Sequence, residues 1–216
     1  YEKLLQDPEA EVRTAATFNL AFVAQCNPQA RVPPATGGKD RVSVAERLVK
    51  KITSLTEDDS EHVRAALAMV ATELAPVLGT NATITYLVPP VLLLLRDAAS
   101  EVRLNLISSL SALNEVIGVD LLSQSLLPAI LDLAQDGKWR IRLAIIQHIP
   151  LLAKQLGREF FTEKLSSLCV GWLGDDIASI RFAAAANLKE LTALFGSEWA
   201  IEHLIPPILE IREHKS

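Results

Sequence analysis

The sequence predicts an all-α fold in which similar pairs of helices stack into a solenoid. The main observation is a residue pair repeated at a fixed interval: an aspartate recurs every 39 residues, and an arginine follows each one six residues later. The aspartates are Asp58, Asp97, Asp136 and Asp175, and the arginines are Arg64, Arg103, Arg142 and Arg181. Asp7 and Arg13 repeat the pair at a wider interval of 51 residues. Repetition with such a period is typical of a stack of units rather than of a globule built around one site.

The spacing of apolar residues within one unit is the second observation. These residues recur every three or four positions, which is helical spacing, as in Leu104, Ile107, Leu110, Leu113 and Ile117. Each unit is therefore predicted to hold two helices, such as a first helix over 83–96 and a second over 101–117. A glycine closes each unit, at Gly79, Gly118, Gly157 and Gly196. Glycine can adopt the left-handed conformation that ends a helix, so the second helices are predicted to end there.

Proline provides the third observation. Pro89, Pro128 and Pro206 fall in the middle of their first helices, whereas one copy has Ser167 at this position. Because proline removes a backbone hydrogen bond and bends a helix, the first helices are predicted to be bent and the second helices straight.

The repeat divides the whole chain into units of one solenoid. A partial repeat at 1–26 is followed by an inserted loop at 27–42, which is rich in proline and glycine and absorbs the wider first interval. Complete repeats are predicted at about 43–79, 80–118, 119–157 and 158–196, and a partial repeat at 197–216. Neither end resembles the polar capping repeat that a solenoid needs, so we expect a fragment of a longer solenoid.

Composition argues against several classes of protein. The net charge of −5 is unfavourable for binding a phosphate backbone, so no nucleic-acid partner is predicted. The longest apolar stretch, 86–95, is half of the ~20 residues needed to span a bilayer, so no membrane segment is predicted. Cys26 and Cys169 both fall in predicted helices far apart in the stack, which favours free thiols and a reducing compartment.

Residue patterns that carry catalysis or metal binding were not found. No two of the four histidines have the i, i+4 spacing of a helical zinc site, and no glycine-rich phosphate loop follows a strand. The adjacent carboxylates Asp58–Asp59 and Asp175–Asp176 are interpreted as helix caps. We therefore predict no catalytic residue, no metal, no cofactor and no small-molecule substrate.

The functional surface is predicted where one repeat departs from the others. The repeated aspartates and arginines are interpreted as a structural ladder, in which the arginine of one unit reaches the aspartate of the next. Trp139 occupies a turn position that other copies fill with Ala10, Glu61, Ser100 and Ala178. A tryptophan between Lys138 and Arg140 has the composition of an interface hot spot, and Ile177 extends this surface in the next turn. The alternative is that Trp139 only covers Leu143 or a neighbouring repeat. Trp172 and Trp199 share their register with apolar residues and are predicted to lie in the core.

Longer strings resemble a known family. A unit of 39 residues with two helices, a mid-helix proline and a fixed Asp and Arg is similar to the HEAT repeat. The strings LNLISSLSALNEVIG (104–118), LSQSLLPAILDLAQDGKWRIRLAIIQHIPLLAKQLGREFF (122–161) and EKLSSLCVGWL (163–173) resemble the structural A, or scaffold, subunits of protein phosphatase 2A. The similarity is strongest over 97–199 and weakest in the inserted loop.

This resemblance implies a function without catalysis. The family's inter-helix turns hold a phosphatase catalytic subunit together with interchangeable regulatory B-type subunits, so the chain would be a protein-binding scaffold located in the cytoplasm and also in the nucleus. By this resemblance, Lys138, Trp139, Arg140 and Ile177 would contact the catalytic subunit. The turns with Glu61, His62, Ser100 and Glu101 would lie nearer the regulatory subunit.

Two other classes remain open. A karyopherin-type nuclear transport receptor is also acidic and built from HEAT pairs, although its repeats are less regular in length than these. A HEAT-like enzyme such as a bilin lyase would need a nucleophile or an acid pair on one face, and none is evident in the sequence.

Overall fold

A computed structural model describes residues 1–26, 31–32 and 42–213. The prediction of an all-α solenoid is confirmed: helices account for nearly all of this part of the chain. The one sheet is a short antiparallel pair of two-residue strands, in which Arg31 lies opposite Ser43 and Val32 opposite Val42. Of the predicted inserted loop at 27–42, only 31–32 and 42 belong to the described residues.

The chain divides into two compact units, Tyr1–Ala129 and Ile130–Ser216. The boundary falls inside α9, Leu127–Leu133. The α-helices of the first unit are α1 Ala10–Phe18, α2 Leu20–Gln25, α3 Val44–Thr56, α4 Glu61–Val70, α5 Ala75–Leu78, α6 Thr80–Ala82, α7 Val88–Leu95 and α8 Ser100–Leu121. Its shorter turns are the 3₁₀ segments Leu4–Gln6 and Ala71–Leu74 and the π segments Thr83–Leu87 and Leu122–Leu126. The second unit holds α10 Trp139–Leu156, α11 Arg158–Lys164, α12 Ser166–Gly171, the 3₁₀ segment Trp172–Gly174, α13 Ala178–Phe195, α14 Ser197–His203 and α15 Ile205–Glu213.

Second helices of successive repeats pack side by side within each unit. In the first unit α4 lies between α1 and α8, and in the second unit α10 packs on α13. The apolar series along α8 faces the core as its spacing predicts: Leu110 and Leu113 are fully buried, and Ile107 and Ile117 are nearly so. Leu104 is only half-buried. The helical pairs therefore bury their apolar faces against neighbouring repeats.

The second helices end at the predicted glycine, or in α8 are sharply kinked there at Gly118, but the glycine conformation differs from the one predicted. The four glycines have φ between +73° and +95°, and ψ at Gly79, Gly118 and Gly157 is 171°, 171° and 163°. A left-handed helical residue has ψ near +45°, so the prediction of that conformation was wrong. The extended ψ arises because each glycine ends one helix and also begins the next: Gly157 N–H donates to Ala153 O, and Phe161 N–H donates to Gly157 O. Only glycine occupies this backbone region readily.

Three of the first helices are interrupted at a buried leucine and not only at proline, whereas α3 continues through its buried Leu48. The backbone φ becomes more negative at Leu87, Leu165 and Leu204, where it is −103°, −126° and −105°, and of these three Leu165 leaves the helical region. Pro89 and Pro206 follow two residues after the first and the last of these. The middle copy has Ser167 at that position and is interrupted all the same, so the prediction that proline causes the bend explains only part of it.

No single helix among the described residues is long and apolar enough to cross a membrane. The helices at 100–121 and 123–133 meet that test only jointly, as a bent pair, by length and composition.

Candidate protein-binding surfaces

The predicted ladder of arginines and aspartates is present within both units. Arg13 donates from Nε and Nη2 to the two carboxylate oxygens of Asp58, at 2.7 and 2.9 Å. Arg64 binds Asp97 in the same two-bond manner at 2.7 and 3.1 Å, and Arg142 binds Asp175 at 2.9 Å for both bonds. The guanidinium also donates from Nη1 to the carbonyl of the aspartate in its own turn, at 2.8, 2.6 and 2.7 Å. Each arginine thus ties its own turn to the turn of the following repeat.

The aspartates also shape the turns, in a manner close to the predicted cap. Asp58, Asp97, Asp136 and Asp175 each accept a hydrogen bond from the backbone N–H two residues later, at 2.8–2.9 Å. That residue is the one before the first residue of the second helix in all four copies, namely Ser60, Ala99, Lys138 and Ile177. The carboxylate therefore folds the turn that leads into the helix instead of capping the free N–H groups of its first turn, which is the correction to the capping interpretation.

The ladder carboxylates are held in the ionised state. Burial opposes ionisation of Asp58, but the hydrogen bond from Arg13, the Ser60 N–H and the nearby positive charges outweigh it and lower the pKa of the carboxyl. The same balance lowers the pKa of Asp97, beside Arg64, and of Asp175, beside Arg142. These pairs hold the turns in register, so the structural interpretation of the ladder agrees with the geometry.

The surface predicted around Trp139 lies at the start of α10. Trp139 is the first residue of that helix and is half-buried, while Lys138 and Arg140 on either side are exposed. The guanidinium carbon of Arg140 lies 5.1 Å from the centroid of the Trp139 ring, which is cation–π geometry. An aromatic ring that is partly exposed and covered on one side by a cation can bury further area against a partner.

Ile177 is brought into the same assembly of turns. It immediately precedes α13, is half-buried, and donates its backbone N–H to Asp175 at 2.9 Å. Because Arg142 of the Trp139 turn binds that same Asp175, the two predicted turns are joined by one ion pair. Lys138, Trp139, Arg140 and Ile177 therefore lie on two neighbouring, rigidly connected turns.

The predicted residues of the first unit are joined in the same way. Glu61 and His62 open α4 and are exposed, and Ser100 and Glu101 open α8, where Ser100 is half-buried and Glu101 exposed. The Arg64–Asp97 pair connects these two turns.

A groove across three second helices includes two of these residues and several that the sequence analysis missed. It has a volume of about 560 Å³ and is lined by α1, α4 and α8. His62 and Glu101 belong to its rim, and the missed residues include Phe18, Ala65 and Met69. Phe18 and Met69 are large apolar side chains that remain 47% and 46% exposed. Comparison of the repeats could have found these two residues. Phe18 and Met69 occupy equivalent positions in the first two repeats, where the later repeats have Ser108, Gln147 and Ala186.

The other two tryptophans lie in the core, as predicted. Trp172 and Trp199 are each 4% exposed. Their indole N–H groups are satisfied, since Trp172 Nε1 donates to Ala134 O at 3.2 Å and Trp199 Nε1 donates to Thr162 Oγ1 at 2.7 Å. They stabilise the packing of repeats and are not available to a partner.

The described residues include few side chains that are arranged for catalysis or metal binding. Within residues 1–26, 31–32 and 42–213, no three His, Cys, Asp or Glu side chains are arranged to hold a metal ion. Cys26 is exposed and Cys169 is buried, and both are free thiols. Burial raises the pKa of the Cys169 thiol to about 12, so it stays protonated at neutral pH.

Comparison with known families bears on the type of repeat. Residues 1–79 match the family model described as PPP2R1A-like HEAT repeat. The matched range includes the inserted loop, for which the weakest likeness was predicted, whereas 97–199 lies outside this match.

A curated relative agrees with the family model. The chain is 46% identical over 90 residues to the A-beta isoform of the 65 kDa regulatory subunit of human serine/threonine-protein phosphatase 2A. The aligned part is 41% of this chain and 14% of the relative, so the chain spans a small share of that protein's length. The predicted resemblance to this family of subunits is confirmed over the part that is matched.

Solved structures with the same fold are more distant in sequence. The crystal structure of Cex1p superposes with a TM-score of 0.68 over 91% of this chain and 37% of its own, at 16% identity. A computationally designed armadillo repeat protein for modular peptide recognition gives a TM-score of 0.52 at 21% identity, over 87% of this chain and 79% of its own. These two likenesses concern the fold alone.

Proposed function

We propose that this chain is a non-catalytic scaffold of a protein phosphatase 2A-type holoenzyme, which binds a serine/threonine phosphatase catalytic subunit together with a regulatory B-type subunit. The HEAT repeats at 1–79 and the likeness to a human 65 kDa regulatory subunit support a scaffold role. Holding an enzyme and its targeting subunit on one chain raises the effective concentration of each for the other. We infer that the chain acts in the cytoplasm and in the nucleus.

The observation that carries this proposal is the pairing of Trp139 with Arg140 at an exposed turn. Interface hot spots are enriched in tryptophan and arginine, and they gain most when a partner buries a group that is already fixed in place. The Arg142–Asp175 pair fixes the turn, and Ile177 adds an apolar neighbour from the next turn. We assign Lys138, Trp139, Arg140 and Ile177 to the contact with the catalytic subunit.

The turns at the start of α4 and α8 suit a different partner surface. Glu61 and Glu101 make them acidic, and His62 and Ser100 add polar groups beside the carboxylates. We assign these four residues to the contact with the regulatory subunit. This assignment rests on the order of the turns in the related subunits.

Calorimetry with a purified protein phosphatase 2A catalytic subunit tests the proposal. Trp139→Ala and Arg140→Glu should each weaken binding by about 2 kcal/mol, as for a hot spot, without changing the helical circular dichroism signal. Arg158→Glu is a charge-matched control, because this exposed arginine lies beyond the far end of α10, about 27 Å along the helix at 1.5 Å per residue. It should bind like the unchanged chain.

Two outcomes would reject the proposal. One is an affinity for the catalytic subunit that Trp139→Ala and Arg140→Glu leave unchanged. The other is recovery from cell extracts of a Ran-type GTPase in place of a phosphatase catalytic subunit, which would favour the karyopherin class.

A further inference from the structure

We propose that the groove across α1, α4 and α8 binds an extended peptide of another protein that carries a basic residue at each end and an apolar residue between them. The groove lies within the first unit and does not involve Trp139 or Ile177. The inference goes beyond the assembly of phosphatase subunits. The groove shares His62 and Glu101 with the turns assigned to the regulatory subunit, whereas Phe18, Ala65 and Met69 belong to no surface assigned above.

Each helix contributes one face to the groove. Glu11 and Phe18 are seven residues apart on α1, and His62 and Met69 are seven apart on α4, so each pair lies on one stripe of its helix. Phe18 and Met69 provide apolar walls, and both are about half exposed. Large apolar side chains left open in a concave site are typical of a binding surface.

The groove forms where the first two repeats have small residues, Thr14 and Ala65, at a register that holds large apolar residues in the later repeats. Ala65 lines it, whereas the same register holds Leu104, Leu143 and Phe182 in the later copies. Ala65 is 8% exposed and forms part of the floor together with its neighbour Ala66, which is 1% exposed. A leucine at position 65 would fill the space that an apolar side chain of a partner can occupy.

Charge identifies the ends of the occupant. Glu11 on α1 and Glu101 on α8 are exposed carboxylates that line opposite sides of the groove, with α4 between them. Carboxylates placed beside apolar surface favour lysine or arginine on the partner, which can lay an apolar stem along the groove and place its charge at the rim.

The distance between the two carboxylate-bearing helices sets the spacing of the basic residues. Neighbouring helices pack about 8–10 Å apart, so α1 and α8 are separated by about 16–20 Å across α4. An extended chain advances about 3.3 Å per residue, so five or six residues span this distance. Asn105 lies along this path, where its side-chain amide donates to Ala65 O at 3.4 Å and its carbonyl oxygen can accept a peptide N–H.

Fluorescence anisotropy with a labelled peptide on the full chain tests the proposal. The probe is acetyl-Ser-Lys-Ser-Leu-Phe-Ser-Arg-Ser-amide, which has its basic residues five positions apart and two apolar residues between them. We expect saturable binding that weakens at least about tenfold in Ala65→Leu, because the side chain fills the floor, and in the double variant Glu11→Lys, Glu101→Lys. Leucine stands naturally at the register of Ala65 in two other repeats, so the variant is expected to fold, which circular dichroism verifies.

Matched controls separate the groove from general surface effects. Gln147→Leu places an apolar residue at the Met69 register of another repeat, and Glu190→Lys reverses an exposed charge on α13. Both should bind the probe like the unchanged chain. A probe with both basic residues replaced by glutamate should lose binding, and so should one with alanine in place of Leu-Phe.

Several results would overturn the proposal. These are no saturable binding up to a peptide concentration of about 1 mM, equal binding of the acidic probe, or a probe affinity that Ala65→Leu does not change. Self-association of the chain that Ala65→Leu abolishes would show that a second copy occupies the groove instead. Because Ala65→Leu should leave the affinity for the catalytic subunit intact, failure of this proposal is distinguishable from failure of the scaffold assignment.

Discussion

The side-chain amide of Asn187 donates a hydrogen bond of 2.7 Å to the backbone carbonyl of Ile146, in the preceding repeat. Pro150 lies four residues after Ile146 within α10 and has no N–H, so this carbonyl lacks its helical donor. Ile146 and Asn187 are 1% and 4% exposed, which removes water as a substitute. The asparagine of one repeat therefore satisfies a carbonyl that proline leaves open in another.

Removing that donor should destabilise the chain only while Pro150 is present. Asn187→Ala leaves a buried carbonyl unsatisfied, which costs about 1–3 kcal/mol of unfolding free energy. Pro150→Ala restores an N–H to the helix, so the same asparagine substitution in that background should cost less, with a coupling of about 1 kcal/mol or more. Urea denaturation of the four members of the cycle measures it.

Asn105→Ala is the matched control for this cycle. Asn105 also donates to a carbonyl of the preceding repeat, Ala65, but at 3.4 Å and with Met69 available as the helical donor. Its loss should cost well below 1 kcal/mol. Equal losses for Asn105→Ala and Asn187→Ala would contradict the role given to Pro150.

The ladder depends on the shape of the guanidinium and not only on its charge. Arg64→Lys keeps the charge but cannot donate two parallel bonds to Asp97 together with one to the Asp58 carbonyl, so we expect a loss of about 1–2 kcal/mol. The side chains of the pair are 17% and 8% exposed, so the loss should persist in 1 M salt, which screens only exposed charges well. Arg96→Lys, at an exposed position, should change little. A stability difference that vanishes in salt would argue against this interpretation.

The free energy of unfolding should decrease as the pH is lowered, over two separate pH ranges. Burial lowers the pKa of His148 below its usual value, and its Nε2 atom is buried without a hydrogen-bond partner among the described residues. The unfolded chain then binds the proton more readily, so stability is present above about pH 6.5 and is lost as the pH falls toward the folded pKa. One such group contributes at most about 1.4 kcal/mol per pH unit.

The second window belongs to the ladder carboxylates. Since the folded pKa values of Asp58, Asp97 and Asp175 are lowered, their contribution to stability is present above about pH 4 and is lost as the pH falls through those values.

Urea unfolding midpoints measured at pH 7.5 and pH 5.5 test the contribution of the histidine. His148→Gln should reduce the difference between the two midpoints, and His62→Gln, at an exposed site, should not. The histidine assignment fails if both variants decline as the unchanged chain does.

Two glycines of the second unit should respond to alanine with opposite signs. Gly157 has φ of +81° and ψ of 163°, so Gly157→Ala should destabilise by about 1–3 kcal/mol. Gly171 has helical angles of −54° and −35°, so Gly171→Ala should stabilise by about 0.5–1 kcal/mol. Neither added methyl would meet an atom within 4 Å, so the difference reports backbone conformation alone. Thermal unfolding of the two variants checks the signs.

Features set by short-range chemistry could be predicted from the sequence. The ladder is an example, because an aspartate and an arginine at constant places in every repeat must meet when neighbouring repeats stack. The conformation of the closing glycines could not, because ψ depends on how soon the next helix begins. The interruption near Ser167 could not be predicted either, because that repeat lacks the proline, and the buried leucine at the break also occurs in α3, which continues through Leu48.

The binding surfaces were predictable to an unequal degree. Trp139 stands out within one turn, and comparison of registers was enough to find it. The groove needs Phe18, Ala65 and Glu101 on three different helices, and its volume arises from a small residue rather than a conspicuous one. The Asn187–Ile146 bond was also missed, since it requires knowing which carbonyl Pro150 leaves without a donor.

The geometry of the ladder ion pairs does not depend on the number of residues that separate their turns in the sequence. Arg13 and Asp58 are 45 residues apart, whereas Arg64 and Asp97, like Arg142 and Asp175, are 33 apart, a difference of twelve. The Nε–carboxylate distances are nevertheless 2.7, 2.7 and 2.9 Å. Segments joining one repeat to the next can therefore change in length while the ridge of turns keeps its spacing. An epitope tag or a fluorophore could therefore be inserted in a segment that connects two repeats without disturbing the surfaces that partners would use.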